Sequence, residues 1–240
     1  MAVFTEEAVR ANLRVRDGKR VFYLADGDRL TPSARDWIWQ EHVEILPAEL
    51  AQSTHFRMLN GAVLEKKPEH MTHLLADVLV PKNHPRIVFR GMVDLLEAEI
   101  LLAGQYALEH GRKQTAGELE EILSYVRNLI RCDLLDERLP EDGKLCGLTQ
   151  QQLREQSHLP HKYLGQPHFM PSFSDDGMLL HLNRIRALIR KTELAVYEAF
   201  CDRDGNPTRP DLMRGMNRLS SLLWIMMVKI KKEDRHESGF

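Results

Sequence analysis

The strongest constraint on this chain lies near its C-terminus. Leu222 to Val228 is an unbroken apolar run, set in a longer helical pattern in which Met213, Met216, Leu223, Met227 and Ile230 recur at near-heptad spacing. A helix that is apolar on every side has no face to give to water, so it must occupy the middle of a bundle or a subunit interface. The methionines in it read as adaptable core fillers. The helical period persists upstream. One helix is expected from about Phe89 to His110, stopped at Gly111, and a second after Thr115 with Leu119, Ile122, Leu123, Val126, Leu129 and Ile130 inward. A short helix follows Thr149, a Pro-rich stretch spans Leu159 to Pro171, and two long helices close the chain at about 175–202 and 210–232. Four long amphipathic helices and a short one make the expected fold mainly α, an up-and-down helical bundle of about five helices.

Residues 1 to about 46 change pattern too quickly to belong to that bundle. Thr5 is placed to cap a short helix with Val9 and Leu13 inward, and Val21 to Leu24 reads as a strand. Thr31-Pro32 then supplies a cap and a proline at the first helical position, followed by Ala34, Trp37 and Ile38 on one face and by Val43-Glu44-Ile45. Leu46 to Pro68 sustains no period and reads as a connector. The expected organisation is a small mixed α/β appendage with its linker over 1–65 and the helical bundle over 66–240.

Several function classes drop out on composition. With 33 basic and 35 acidic residues the net charge is −2, which excludes a strongly basic nucleic-acid coat. The longest apolar run falls far short of the ~18–20 residues of a membrane span, and the N-terminus turns acidic where a signal peptide would be basic. A cytoplasmic protein is expected. Cys132, Cys146 and Cys201 are widely spaced, which speaks against a disulfide framework or a cysteine zinc site. Asp202-Arg203-Asp204-Gly205-Asn206-Pro207 starts like a calcium loop, but proline stands where the loop needs glycine, so it reads as a turn. His70-x2-His73 and His158-x2-His161 have helical-face spacing without a carboxylate or cysteine to complete a metal site.

The helix from Met178 to Phe200 carries the chemistry. Met178, Leu182, Ile185, Ile189, Val196 and Phe200 form its core face. Arg184, Lys191 and Glu198 lie opposite, as a solvated face should. Arg186, Arg190, Glu193 and Tyr197 form a further stripe that hugs the edge of the core. Taken alone, the stripe reads first as a pair of surface contacts worth about 0.2–0.5 kcal/mol each.

A second motif, Asn217-Arg218-Leu219-Ser220, follows Arg186-x3-Arg190-Lys191-x-Glu193 on the next long helix. Together they resemble the R-x3-R-R-x-E and N-R-L-S motifs of the ATP:corrinoid adenosyltransferases of the propanediol-utilisation type. Upstream, Val80-Pro81-Lys82-Asn83-His84-Pro85-Arg86 and Gly91-Met92-Val93-Asp94 are similar to that family's S-K-D-D-P-R and G-x-V-D-E. Lys66-Lys67-Pro68, Thr72-His73-Leu74 and Thr31-Pro32-Ser33-Ala34-Arg35 resemble the ethanolamine-utilisation branch, so the likeness covers the whole chain.

The resemblance implies an adenosyltransferase-like bundle that assembles as a trimer, with both substrates bound between neighbouring subunits. Its reaction moves the 5′-deoxyadenosyl group of ATP onto the cobalt of cob(I)alamin. Mg²⁺ accompanies ATP, and no transition metal is expected. By the same resemblance, Lys82, Arg190, Lys191, Glu193, Asn217 and, more weakly, Arg218 contact ATP, while Arg186 pairs with Asp94 across the interface. Arg186, Arg190 and Asp94 are the catalytic set. An apolar side chain against the lower corrin face displaces the axial ligand, and Phe169 is the choice for it; a loop aromatic packed on the bundle is the competing reading. Ethanolamine ammonia-lyase and a flavoprotein reductant are the implied partners, with association to a bacterial microcompartment.

Two family features are missing. No glycine stands in Lys66 to Leu74, where the propanediol-type enzymes cradle phosphates on a glycine-rich loop. Lys66, Lys67, Thr72 and His73 are the candidate replacements. No cysteine precedes Cys132, whereas better-known ethanolamine-branch enzymes carry a C-C-x-x-C cluster. The missing loop keeps a second hypothesis open, a non-catalytic corrinoid carrier or scaffold of the same fold.

Overall fold

The computed structural model describes residues 2–16, 19–51, 56–64, 66–141 and 143–237. By contacts the chain forms two compact units, one of residues 1–84 with 133–137 and one of residues 85–132 with 138–240.

In the N-terminal unit, short elements alternate as the cap and turn residues dictate. They run β1 (Val3–Phe4), α1 (Glu6–Ala11), β2 (Arg14–Arg16), β3 (Lys19–Leu24), β4 (Arg29–Leu30), α2 (Pro32–Gln40) and β5 (Glu44–Pro47). Thr5 accepts from the Ala8 N–H to start α1, and Thr31 accepts from Ala34 N–H to start α2 with Pro32 at its first position. Strand β3 pairs antiparallel with β2 and parallel with β5, the crossover being made through α2. The inward residues expected from the sequence, Val9, Leu13, Ala34, Trp37 and Ile38, are buried together, and Phe22 of β3 joins them. Leu135, from the 133–137 segment, packs on this core, and Arg20 pairs with Glu137 at 3.1 Å.

Residues 46–84 differ from the expectation of a connector followed by helix. After a 3₁₀ turn at Ala48–Ala51, they form β6 (Phe56–Met58), β7 (Val63–Leu64), β8 (Met71–Leu75) and β9 (Val78–Pro81), in sheet order β7-β6-β9-β8. The pairing of β8 with β9 shifts register between His73 and Leu75. That bulge lets Met71 and Leu74, three residues apart, both be buried, and so it imitates helical spacing in the sequence.

The second unit is the bundle. Helices α3 (Pro85–Glu109) and α4 (Lys113–Leu134) are joined by a turn in which Gly111 takes φ 71° and Arg112 N–H donates to Ala107 O. Pro85 opens α3, four residues before the expected start. Helix α5 (Gln150–His158) begins with the Thr149–Gln152 capping box. The Pro-rich stretch contains one more short helix, α6 (Pro160–Leu164), started by Pro160 and stopped by Gly165 at φ 73°. Helices α7 (Gly177–Ala199) and α8 (Pro210–Glu237) pack on each other, α7 also on α3, and α5 and α6 on α8. Every residue from Leu222 to Val228 is buried, so the apolar run is the middle of the bundle within one chain.

The turn into α8 holds a buried ion pair. Arg209 donates to both Asp211 oxygens at 3.0 and 2.9 Å, and Asp211 also accepts from Leu139 N–H and Arg138. Burial alone would raise the Asp211 carboxyl, but these bonds hold it well below the usual carboxylate range. Its contribution to stability is therefore complete above the unfolded pKa of about 4 and is lost as pH falls through the lower folded value. Asp211→Asn should destabilise the protein by roughly 3–5 kcal/mol at pH 7, because a buried ion pair loses one of its two charges. In urea titrations the gap from wild type should narrow steadily below about pH 4.

Candidate active site on the two C-terminal helices

The core face of α7 is as the period requires: Met178, Leu182, Ile185, Ile189, Val196 and Phe200 are buried. Thr192, also buried, satisfies its hydroxyl on Leu188 O at 2.9 Å. Arg184, Lys191 and Glu198 are exposed on the far side. Between these faces the stripe runs from half-buried Arg186 through exposed Arg190 and half-buried Glu193 to Tyr197, whose hydroxyl donates to Gly205 O at 2.9 Å. That bond closes the α7–α8 turn, where Asp202 accepts from the N–H groups of Asp204 and Asn206. The segment is thus a side-chain-closed turn.

Helix α8 brings the second motif to the stripe. Asn217 donates to Glu193 at 3.4 Å, and Arg218 donates to Asn217 Oδ1 at 3.3 Å. Arg218 is half-buried among cations: burial first, then Arg154 and Arg214, lower its pKa. Arg186 is in the same condition. Burial first, then the charge of Arg190, lowers its pKa, and among the described residues its Nε has no hydrogen-bond partner. Among the described residues neither guanidinium group forms an ion pair with a carboxylate, the electrostatic condition that an anion relieves.

The guanidinium of Arg186 lies 5.2 Å from the ring centroid of Trp224. Phe169 and His168 stack on the same indole at 5.0 and 5.5 Å. Lys231 approaches Phe169 at 5.9 Å and bonds to Asp175, whose carboxylate is almost fully buried and is held below its usual pKa chiefly by that bond. An aromatic platform therefore adjoins the cationic strip, with Trp224 belonging to both. Sequence reasoning missed Trp224, because it stands inside the apolar run and reads as core; its place seven residues after Asn217 was the available signal.

The remaining candidates stand on other elements. Asp94 is exposed on α3, and among the described residues no ion pair joins it to Arg186 of the same chain. Lys66, Lys67 and Lys82 are exposed in the N-terminal unit, Lys82 just past β9 with its backbone N–H on His70 O. Thr72 and His73 are neighbours in β8; His73 is held by Nδ1 on Ala76 O at 2.9 Å and packs edge-on against Phe56. Among the described residues no three His, Cys, Asp or Glu side chains cluster as a metal site, and no helix is long and apolar enough to cross a membrane.

The two C-terminal helices thus bring a cationic strip beside an aromatic platform. The chain belongs to the cobalamin adenosyltransferase family, which it matches over residues 62–230, and it is an enzyme of that class. It is 31% identical to the corrinoid adenosyltransferase EutT of Escherichia coli K12, over 93% of this chain and 90% of that protein. It is 30% identical, over the same shares, to the EutT of Salmonella typhimurium.

If the strip is an anion site, occupancy should stabilise the fold in proportion to ln(1 + [L]/Kd). Inorganic triphosphate should raise the melting temperature more than equimolar sulfate in differential scanning fluorimetry. The increment should vanish in Arg190→Ala, whose side chain is exposed and replaceable without loss of packing.

Proposed function

We propose that the enzyme transfers the 5′-deoxyadenosyl group of ATP to the cobalt of a Co(I) corrinoid, serving ethanolamine utilisation. One observation carries the reading: the hydrogen bond between Glu193 and Asn217 joins the two motifs on a single face of the α7–α8 pair. The cobalt electron pair attacks C5′, the C5′–O bond to the α-phosphate breaks, and the triphosphate leaves with that bonding pair. No side-chain nucleophile is needed, and the protein contributes position and charge.

Arg190 holds the triphosphate by charge-assisted hydrogen bonds and stabilises it as it departs. Asn217, fixed by Glu193, orients the nucleoside. Glu193 would offer a carboxylate to the Mg²⁺ that accompanies ATP, and that ion would offset the triphosphate charge. Phe169, backed by Trp224, presses on the lower corrin face and keeps an axial ligand away.

The homo-oligomer has support on α3, where Val88, Leu95 and Leu102 recur every seven residues at 42%, 48% and 57% exposure. An exposed apolar seam at heptad spacing fits another helix of the same kind. In the trimer Asp94, on the same helix, supplies a counter-charge to Arg186.

Incubation with ATP, a reductant and cobalamin should convert the Co(I) spectrum to the light-sensitive adenosylated one. Arg190→Ala should lower kcat/KM by about 10²–10³-fold, and Asn217→Ala should weaken Mg-ATP binding in calorimetry. Full turnover by Arg190→Ala would overturn the assignment of the strip. Leu95→Asp/Leu102→Asp should shift the protein towards monomer in light scattering, and turnover should fall with the assembled fraction.

A further inference from the structure

The N-terminal unit contains a cavity of about 630 Å³ that the adenosyl-transfer reading does not use. Its volume is in the range of small-molecule sites. Its walls come from all three sheets of the unit: Phe4 of β1, residues of β2 and β3, and residues of β6 and of β8 with the β8–β9 turn. These walls supply different chemistry.

Aromatic rings make much of the apolar part, and Phe4, Phe22, Phe56 and His73 are each held by a ring partner. Phe4 meets Phe22 edge-on at 5.2 Å, and Phe56 meets His73 edge-on at 5.6 Å. Such pairs fix ring orientation before any ligand arrives. The cationic part is Arg14 and Arg16, two residues apart in β2 and therefore on one face of the strand. Arg14 has five N–H donors and spends one on the neighbouring Leu13 carbonyl at 2.9 Å.

One carboxylate lines the cavity, that of Asp77, and Arg57 engages it through two bonds of 2.8 and 3.1 Å. Those bonds first, and the charge of Arg16 last, keep Asp77 ionised below the usual carboxylate range, against the opposing effect of burial. Arg57 already neutralises Asp77, so that carboxylate does not bar an anion, and the unspent donors of Arg14, with Arg16 beside it on the strand, suit a single anionic group. The ligand class that matches all three features has one planar aromatic body and one phosphate-like group.

We propose that this cavity is a second ligand site, taking a planar aromatic anion of mononucleotide size, separate from the strip on α7 and α8. His73, which the family resemblance offers as a contact for the ATP phosphates, is a wall of this second site. The inference stands independently of the adenosyl-transfer reading, since none of Arg14, Arg16, Phe4, Phe56 or Leu50 has a part in it.

The test is calorimetry on the full chain carrying Arg190→Ala, with AMP as the probe and adenosine and inorganic phosphate as its two halves. Saturable one-to-one AMP binding is expected, with each half at least about tenfold weaker, the scale of one charge-assisted hydrogen bond. Adding Arg14→Ala/Arg16→Ala should cost about tenfold or more on the same scale. Leu50→Glu, at a half-exposed position on the cavity wall, adds a negative charge without disturbing the core and should also weaken AMP. Absence of AMP binding in the Arg190→Ala protein, when wild type binds it or when neither does, would overturn the second site. Unchanged affinity in Leu50→Glu and in Arg14→Ala/Arg16→Ala would overturn it as well.

Discussion

Everything in the larger unit depends on α8 having no side that tolerates water between Leu222 and Val228. A helix of this kind is stable only when neighbours cover it all round, at about 25 cal/mol for each square ångström of apolar surface removed from water. Helices α5, α6 and α7 pack against it directly, and the buried residues of α3 and α4 complete the same core. Because the helix is fully enclosed, any polar group on its flanks meets a low-dielectric neighbourhood. Asn217 and Arg218 at one end, and Lys231 at the other, therefore act at the edge of the core, where charge is stronger than on an open surface.

That placement explains why the site can hold charge at some cost to the fold. Arg186 and Arg218 are half-buried near like charges, each with an Nε that has no partner among the described residues. A stability-optimised surface would not keep them there. Residues that oppose folding but sit where a polyanion would relieve them are what a binding strip built in advance requires, since the reorganisation is done during folding. The near-zero net charge of the whole chain conceals this: residues 182–232 hold eleven Lys and Arg against five Asp and Glu.

Much of this was legible in the sequence because the determinants are local. Helices α1, α2 and α5 follow from Thr5, Thr31-Pro32 and Thr149, whose caps are one-residue events. The faces of α7 follow from a period that nothing interrupts. The sheet of β6 to β9 was missed because its pairing is long-range and because the bulge at His73–Leu75 breaks the two-residue alternation that identifies a strand. The ion pair of Arg209 with Asp211 was missed for another reason: its burial depends on Arg138 and Leu139, seventy residues away. Trp224 escaped for the opposite reason, since its surroundings looked so uniformly apolar that nothing marked it out from the core.

The short return of residues 133–137 to the N-terminal unit makes that unit discontinuous in sequence. Leu135 contributes to its core and Glu137 to an ion pair with Arg20, although both are encoded beyond α4. Cutting the gene after residue 84 would therefore not separate two modules. The first fragment would lack a piece of its interior, and the second would carry an apolar residue whose cover had been removed. A cut that followed the packing would have to divide the chain at three places, after residue 84 and on either side of residues 133–137.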